Sequence, residues 1–334
     1  MAAGPSFIDG FDHYNSVAML EKKWTIVTDN GITFGSTLKG AAGGSLNLPS
    51  GASVEKTTDT PGSNTNTNPL GFYCKRDAAV ARTLFSAYSG STLQVKVVWR
   101  ADGAFDIYDA TGSVNVTTNK KANALNTVYH FELAMNNSTT TSAGNFYIDG
   151  IAANTATITF SNVIVMSRFV LGGTISAADS AACGFSFDHL FTKVISGGQI
   201  GPAEILTVFP DGDGATNNWT SSAGGSKYAD VDENPPDEAD YNFASTSGIS
   251  QFWKFPITYP TGYSPNGYAL TVLGAIATSQ TMSARQSNTD GGAENSADNI
   301  SGTFVLGSQF LEFLFNNSPT IVSGHAFLGM RRVS

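Results

Sequence analysis

The groups in this chain that could do chemistry are its carboxylates, and they bunch. Between residues 211 and 240 lie eight acidic side chains and one lysine, spread over Asp211-Gly-Asp-Gly214 and Tyr228-Ala-Asp-Val-Asp-Glu-Asn-Pro-Pro-Asp-Glu-Ala-Asp-Tyr241. Two chemistries use such groups. Glycoside hydrolysis needs a pair of carboxyl groups about 5–10 Å apart across a cleft, and alternate residues of a strand share a face. Asp230 and Asp232, or Glu238 and Asp240, have that alternation, but the Pro and Asn around them predict loop, and no Glu-x-Asp-x-Glu triplet occurs. Calcium needs a shell of oxygens. Asp211 and Asp213 open like a calcium loop, yet its fifth and twelfth positions are Ala215 and Ser222, which bring no carboxylate. Asp211 and Asp213 are therefore the metal candidates, with calcium as the ion, against the plainer reading of a hydrated Asp-Gly turn.

Other constellations are missing. His13, His130, His189 and His325 show no metal spacing, and His130 and His189 sit inside strand patterns, where histidine is usually a hydrogen-bonded structural residue. There is no Gly-x-Ser-x-Gly elbow, phosphate loop or dinucleotide fingerprint. Cys74 and Cys183 are 109 positions apart; strands that bring them together would allow a disulfide, while a cytoplasmic product favours reduced, buried thiols. Trp24, Trp99, Trp219 and Trp253 could stack on sugar rings if exposed, but Trp99 and Trp253 lie in strand patterns that predict core. Trp219 is expected to anchor the acidic stretch against a domain. The residues thus predict no enzyme and no cofactor.

The elements that must position these groups are strands. Only 13% of residues are charged, against about 25% in an average soluble protein, and Ser, Thr, Asn, Gly and Ala fill the difference. Leu93–Arg100 alternates apolar with polar, and so does Val128–Met135; Phe105–Tyr108, Gly144–Gly150, Ser167–Gly173 and Phe185–Val194 add further strands. Asp149-Gly150 is a hairpin dipeptide. Seven or more such strands joined by turns imply two sheets packed face to face. Beyond residue 245, Gln251–Ile257, Tyr268–Thr278, Phe304–Leu306 and Gln309–Phe315 give further strands, with 285–300 as a hairpin tip. Phe252, Trp253 and Phe255 in the first of these are the candidates for a subunit interface, together with the long apolar run 268–278.

Charge divides the chain. Residues 1–200 hold 13 Lys/Arg against 14 Asp/Glu, and residues 201–334 hold 5 against 13, so −1 and −8 make up the net −9. A surface of that sign argues against nucleic acid, and no stretch of about 18 apolar residues offers a membrane span. No basic, apolar leader opens the sequence, which predicts assembly in a cytoplasm.

The order of certain pieces resembles a known family. Tyr129-His-Phe-Glu-Leu133, Tyr147-Ile-Asp-Gly150, Arg168-Phe-Val-Leu-Gly-Gly173 and Phe187-Asp-His-Leu-Phe191 follow one another as in the laminin-G or concanavalin A-like jelly roll. The opening Phe7-Ile-Asp-Gly-Phe-Asp-His-Tyr-Asn15 with Lys23-Trp24, and the later Val208-Phe-Pro-Asp-Gly-Asp-Gly214, Trp219 and Val231-Asp-Glu233, are similar to tailed-bacteriophage virion proteins built on that module. The resemblance implies an all-β chain: a concanavalin A-like jelly-roll sandwich over 1–200, an acidic connector over 201–245, and a smaller C-terminal β-sandwich-like domain over 246–334 completed by part of the connector. It implies a structural component of the virion, in the tail, a fibre or the capsid exterior, that forms a symmetric homo-oligomer and contacts other virion proteins. The alternatives are a carbohydrate-binding adhesion module touching a host-surface glycan and, behind it, a glycan hydrolase.

Overall fold

The computed structural model describes residues 5–40, 43–57, 67–137, 142–160, 167–173, 183–193, 198–234, 236, 239–259, 268–276, 280–290, 300–304, 307–315, 321 and 323–333. The chain is nearly all β and divides into two compact units, Met1–Ile205 and Leu206–Ser334. The expected fold class is what the structure has: a two-sheet jelly-roll sandwich followed by a smaller β unit.

In the first unit a nine-stranded sheet runs in the order Ile151–Ala152, Ser142–Ile148, Tyr129–Asn137, Thr67–Arg76, Phe185–Lys193, Gly44–Leu48, Thr33–Ser36. Pro5–Asp9 is added on Phe185–Lys193, and Ile158–Thr159 on Ser142–Ile148. A seven-stranded sheet faces it, ordered Val114–Thr117, Phe105–Tyr108, Thr92–Trp99, Arg82–Ser89, Arg168–Gly172, Ser53–Thr57, Thr25–Thr28. All the pairings are antiparallel, and the alternation visible in the sequence decides which side faces in. Phe131, Leu133 and Met135 point into the core from one strand, Leu70, Phe72 and Cys74 from the next, Phe185 and Phe187 from a third. Trp99 lies among them, 5.0 Å from Phe131, 5.3 Å from Phe105 and stacked on Phe185 at 5.9 Å, with its indole N–H donated to the Ala122 carbonyl at 2.9 Å. The Asp149-Gly150 turn has positive φ at both residues (51° and 76°) between the register pair Ile148 and Ile151, a two-residue hairpin whose twist suits the flanking strands.

A buried cation closes one end of the sandwich. The Arg82 guanidinium donates to the carbonyls of Gly173, Leu48, Cys183, Pro49 and Ala52, spending all five of its N–H groups on backbone from separate segments. Cys183 and Cys74 are both buried free thiols, and burial pushes each thiol up from its ordinary pKa.

The second unit is built on a five-stranded sheet, Gly212–Asn217, Ser250–Pro256, His325–Arg332, Gln280–Ser287, Ile300–Phe304, with a ribbon of Tyr268–Ile276 and Gly307–Phe315 and a short pair, Thr220–Ser221 with Asn242–Phe243. Its core gathers Trp219, Trp253, Phe255, Leu270, Phe313, Phe315, Leu328 and Met330. Gly329 permits the central pairing, because a Cβ there would come within 2.1 Å of the Gln251 carbonyl oxygen on the neighbouring strand. The acidic stretch is folded into this unit: Gly212–Asn217 is an edge strand and Tyr228–Asp230 a turn of 3-10 helix. The tip of the expected hairpin at 285–300 lies outside the described residues from 291 to 299.

Candidate functional site

The side of the nine-stranded sheet that faces away from the core carries the polar chemistry of the first unit. Tyr73, His130 and Glu132 alternate with core residues on neighbouring strands, in register His130 with Tyr73 and Glu132 with Gly71. Ordinary alternation would leave such a face wet. Here it is buried, with Glu132 at 0% exposure and His130 at 1%, because residues 198–205 return across it as a strap.

Glu132 fastens that strap. One carboxylate oxygen accepts the Ile200 N–H at 2.7 Å and the other the Gly201 N–H at 2.8 Å. Burial raises the Glu132 pKa to about 7, against the lowering pull of those two hydrogen bonds. A second fastening comes from a β-bulge. Register is lost between Asp188 and Phe191 opposite the Thr67–Arg76 strand, and His189 has a positive φ of 49°, an uncommon backbone for a side chain with a Cβ. The bulge re-aims the imidazole, so that its Nδ1 accepts the Ile205 N–H at 3.2 Å and its Nε2 donates to the Lys39 carbonyl at 3.0 Å. Asp188 takes the Leu38 N–H at 2.7 Å and the Thr37 hydroxyl at 2.9 Å, and burial raises its pKa. His130 packs between Tyr73 and Phe191. Neither of its ring nitrogens has a hydrogen-bond partner among the described residues, and burial lowers its pKa to about 4.

A second polar centre lies at the start of the chain. Asp9, 2% exposed, accepts the Phe11 N–H at 2.9 Å, the Tyr14 hydroxyl at 2.8 Å and the Trp24 indole N–H at 2.8 Å, and pairs with Lys23 at 3.4 Å. Burial pushes the carboxyl up, but Lys23, His13 and the donated hydrogen bonds outweigh it and the net shift is downward. These are the residues of the opening Phe7–Asn15 and Lys23-Trp24 pattern, so that pattern describes one closed structural hub.

The residues singled out from the sequence are placed as follows. Asp213 takes the N–H groups of Lys227 and Tyr228 and the Asn217 amide, a carboxylate committed to its own fold, while Asp211 is exposed and paired with His325 at 3.1 Å. The two candidates for calcium thus serve different partners, and no group of three metal-ligating side chains occurs among the described residues. Trp219 is 8% exposed, donates its indole N–H to the Ile249 carbonyl at 3.3 Å and meets Trp253 edge-on at 6.1 Å, which places the connector's indole in the core of the second unit. Phe252, Trp253 and Phe255 are buried in that same unit, in the protomer's own interior rather than on a face open to a partner. The exposed aromatics of that unit among the described residues are Tyr241 and Phe243. None of the four tryptophans is available as a sugar-stacking platform, since all are buried. Glu132 was the group the sequence hid: its signal, an alternating strand, was visible, but the strap that covers it comes from about seventy residues later.

No family model matches the chain, and no curated protein matches it. Among solved structures it is similar to the alginate lyase AlgAT5 of polysaccharide lyase family 7 (9% identity, TM-score 0.39, 52% of this chain and 94% of that one). It is also similar to a β-1,3-1,4-glucanase, a lichenase from a mouse hindgut metagenome (15%, 0.37, 57% and 99%). A third is a botulinum neurotoxin type C structure described with two ganglioside molecules (8%, 0.40, 95% and 82%). At such identities the likeness is one of fold. It does correct one expectation: the reading that this chain is no enzyme is withdrawn, because similar jelly rolls include a lyase and a glucanase. The missing Glu-x-Asp-x-Glu triplet speaks to one arrangement of carboxylates only. No helix among the described residues is long and apolar enough to cross a membrane.

Proposed function

We propose that this chain is a structural component of a tailed-bacteriophage virion, placed in the tail, a fibre or the capsid exterior, assembling with copies of itself and with other virion proteins. The observation that supports the reading is the hub around Asp9. The opening residues that resemble phage virion proteins form one interlocked unit, tied by four side-chain and backbone contacts to a single buried carboxylate. Their joint occurrence therefore has a physical reason and is not a chance string of letters. The low-charge, two-unit all-β build suits a protein whose surfaces pack against other subunits.

The experiment is cryo-electron microscopy of intact particles from the source of this chain, with mass spectrometry of the purified particle beside it. Density for both β units in symmetric, stoichiometric copies is the expected result. Particles that lack the chain overturn the proposal.

A further inference from the structure

Beside the strapped region the same outer face stays open, and there four adjacent strands bring one polar residue each into a single row. Thr33 is the register partner of Asn47, Asn47 of Ser186, and Ser186 of Lys75. Register partners point the same way, and strands lie about 4.8 Å apart, so three steps make a row about 14 Å long, the span of a short oligosaccharide. The row lines a cleft of about 280 Å³, near the lower end of ordinary ligand sites.

The cleft is bounded by residues whose positions are fixed. Asp77 closes one end, its Oδ1 accepting the Gly184 N–H at 2.6 Å. Asn126 stands beside it with a left-handed φ of 53°, its N–H given to the Arg76 carbonyl at 2.8 Å. On the far side Gly35 makes room for the Asn47 amide, because a Cβ at 35 would lie 2.9 Å from Asn47 Nδ2. The side chains of Thr33, Asn47, Ser186, Lys75 and Asn126 make no hydrogen bond or ion pair among the described residues. Their neighbours under the strap are, by contrast, largely spent on protein partners. The open half of the face therefore presents two hydroxyls, two amides and one ammonium that the fold does not use, with the Asp77 carboxylate, tied through one oxygen to the Gly184 N–H, beside them.

We propose that this row is a binding site for a short acidic saccharide. Ring hydroxyls both donate and accept, which amides and hydroxyls in a row can answer without any net charge. Lys75 supplies the one cation to meet a sugar carboxylate, and Asp77 beside it disfavours polyphosphate, whose binding requires several cations. A peptide strand would add at a sheet edge, where backbone groups are free, whereas this row crosses the face. The site gives a chemistry to the surface contact of the chain, but it rests on the geometry of the first unit alone.

The test uses the full chain on an array of acidic and neutral bacterial polysaccharide fragments, followed by calorimetry with the acidic fragment retained and its carboxyl-reduced counterpart. Lys75→Met should weaken the acidic fragment at least tenfold and leave the reduced fragment unchanged; Asn47→Ala should weaken both several-fold. Unfolding midpoints of both variants should match the parent, since neither side chain bonds to the fold, which separates lost binding from lost structure. Retention of no acidic fragment, preference for neutral ones, or binding indifferent to both substitutions overturns the assignment. Any of those failures leaves membership of the particle untouched, and absence from the particle would leave this site standing.

Discussion

Asp9 shows how much one side chain can organise. Its carboxylate is the shared acceptor for an amide, a phenol and an indole and the counter-ion of a lysine with 2% side-chain exposure. Removing one partner of a buried pair strands the other, which costs about 3–5 kcal/mol. Asp9→Ala should therefore destabilise the first unit by that order in urea titrations; a loss under about 1 kcal/mol would show that Lys23 escapes to water. His130 makes the opposite case, a buried ring whose nitrogens have no partner among the described residues. With its pKa lowered to about 4 from 6.5, the folded state binds its proton less readily than the unfolded one. Its contribution is fully present above pH 6.5 and is lost as pH falls towards 4, about 3 kcal/mol in all. His130→Phe should equal or exceed the parent's stability at pH 7, and its advantage should widen by roughly that amount at pH 4. An advantage that stays constant between the two would sink this account.

At the scale of elements, much of the strand pattern was legible and the layering above it was not. Phe105–Tyr108 coincides with its sequence reading, and Asp149-Gly150 turns as its residue types require, because alternation and turn chemistry are local. The aromatic residues at 252–255 suggest an interface in sequence, yet Phe252, Trp253 and Phe255 are all buried within their own unit. His130 and Glu132 show why such readings stop short. Their alternation predicts a second, polar face, but nothing nearby in sequence says that 198–205 will cover it. The strap's hold is testable amide by amide. Glu132→Ala removes the acceptors of both Ile200 and Gly201, whereas Glu132→Gln keeps one oxygen and turns an NH₂ towards the other donor. Hydrogen exchange should speed up at both amides in the first variant and mainly at one in the second, with Leu133 in the core unchanged. Equal protection in all three proteins would mean that the strap is held elsewhere. The Gln variant also carries a pH signature. A carboxyl raised to about 7 from 4.5 favours folding fully below pH 4.5, and that favour is lost as pH rises through 7; the amide has nothing to lose there.

For the whole molecule, the two units differ in what acid can do to them. Every described group with a shifted pKa lies in Met1–Ile205 except Asp290, an exposed carboxyl that loss of water pushes up but that Lys254 and the Ala215 N–H together bring down. Between pH 7 and 4, His13 and His130, both lowered to about 4 by burial, withdraw stability from the first unit while Glu132 and Asp188, both raised, return some. Below pH 4 the balance ends, because Asp9, with its net lowered pKa, then takes up its proton and gives up its ion pair and three hydrogen bonds. The first unit should thus be the acid-labile one. Calorimetric scans at pH 7, 5 and 3 should show two transitions, one of which falls steeply at the lowest pH. Trp219→Ala identifies the other, since that indole fills the core of the second unit and its loss costs about 3–5 kcal/mol. One transition should follow pH and the other the tryptophan. A single transition that moves with both would mean that Met1–Ile205 and Leu206–Ser334 unfold as one cooperative body.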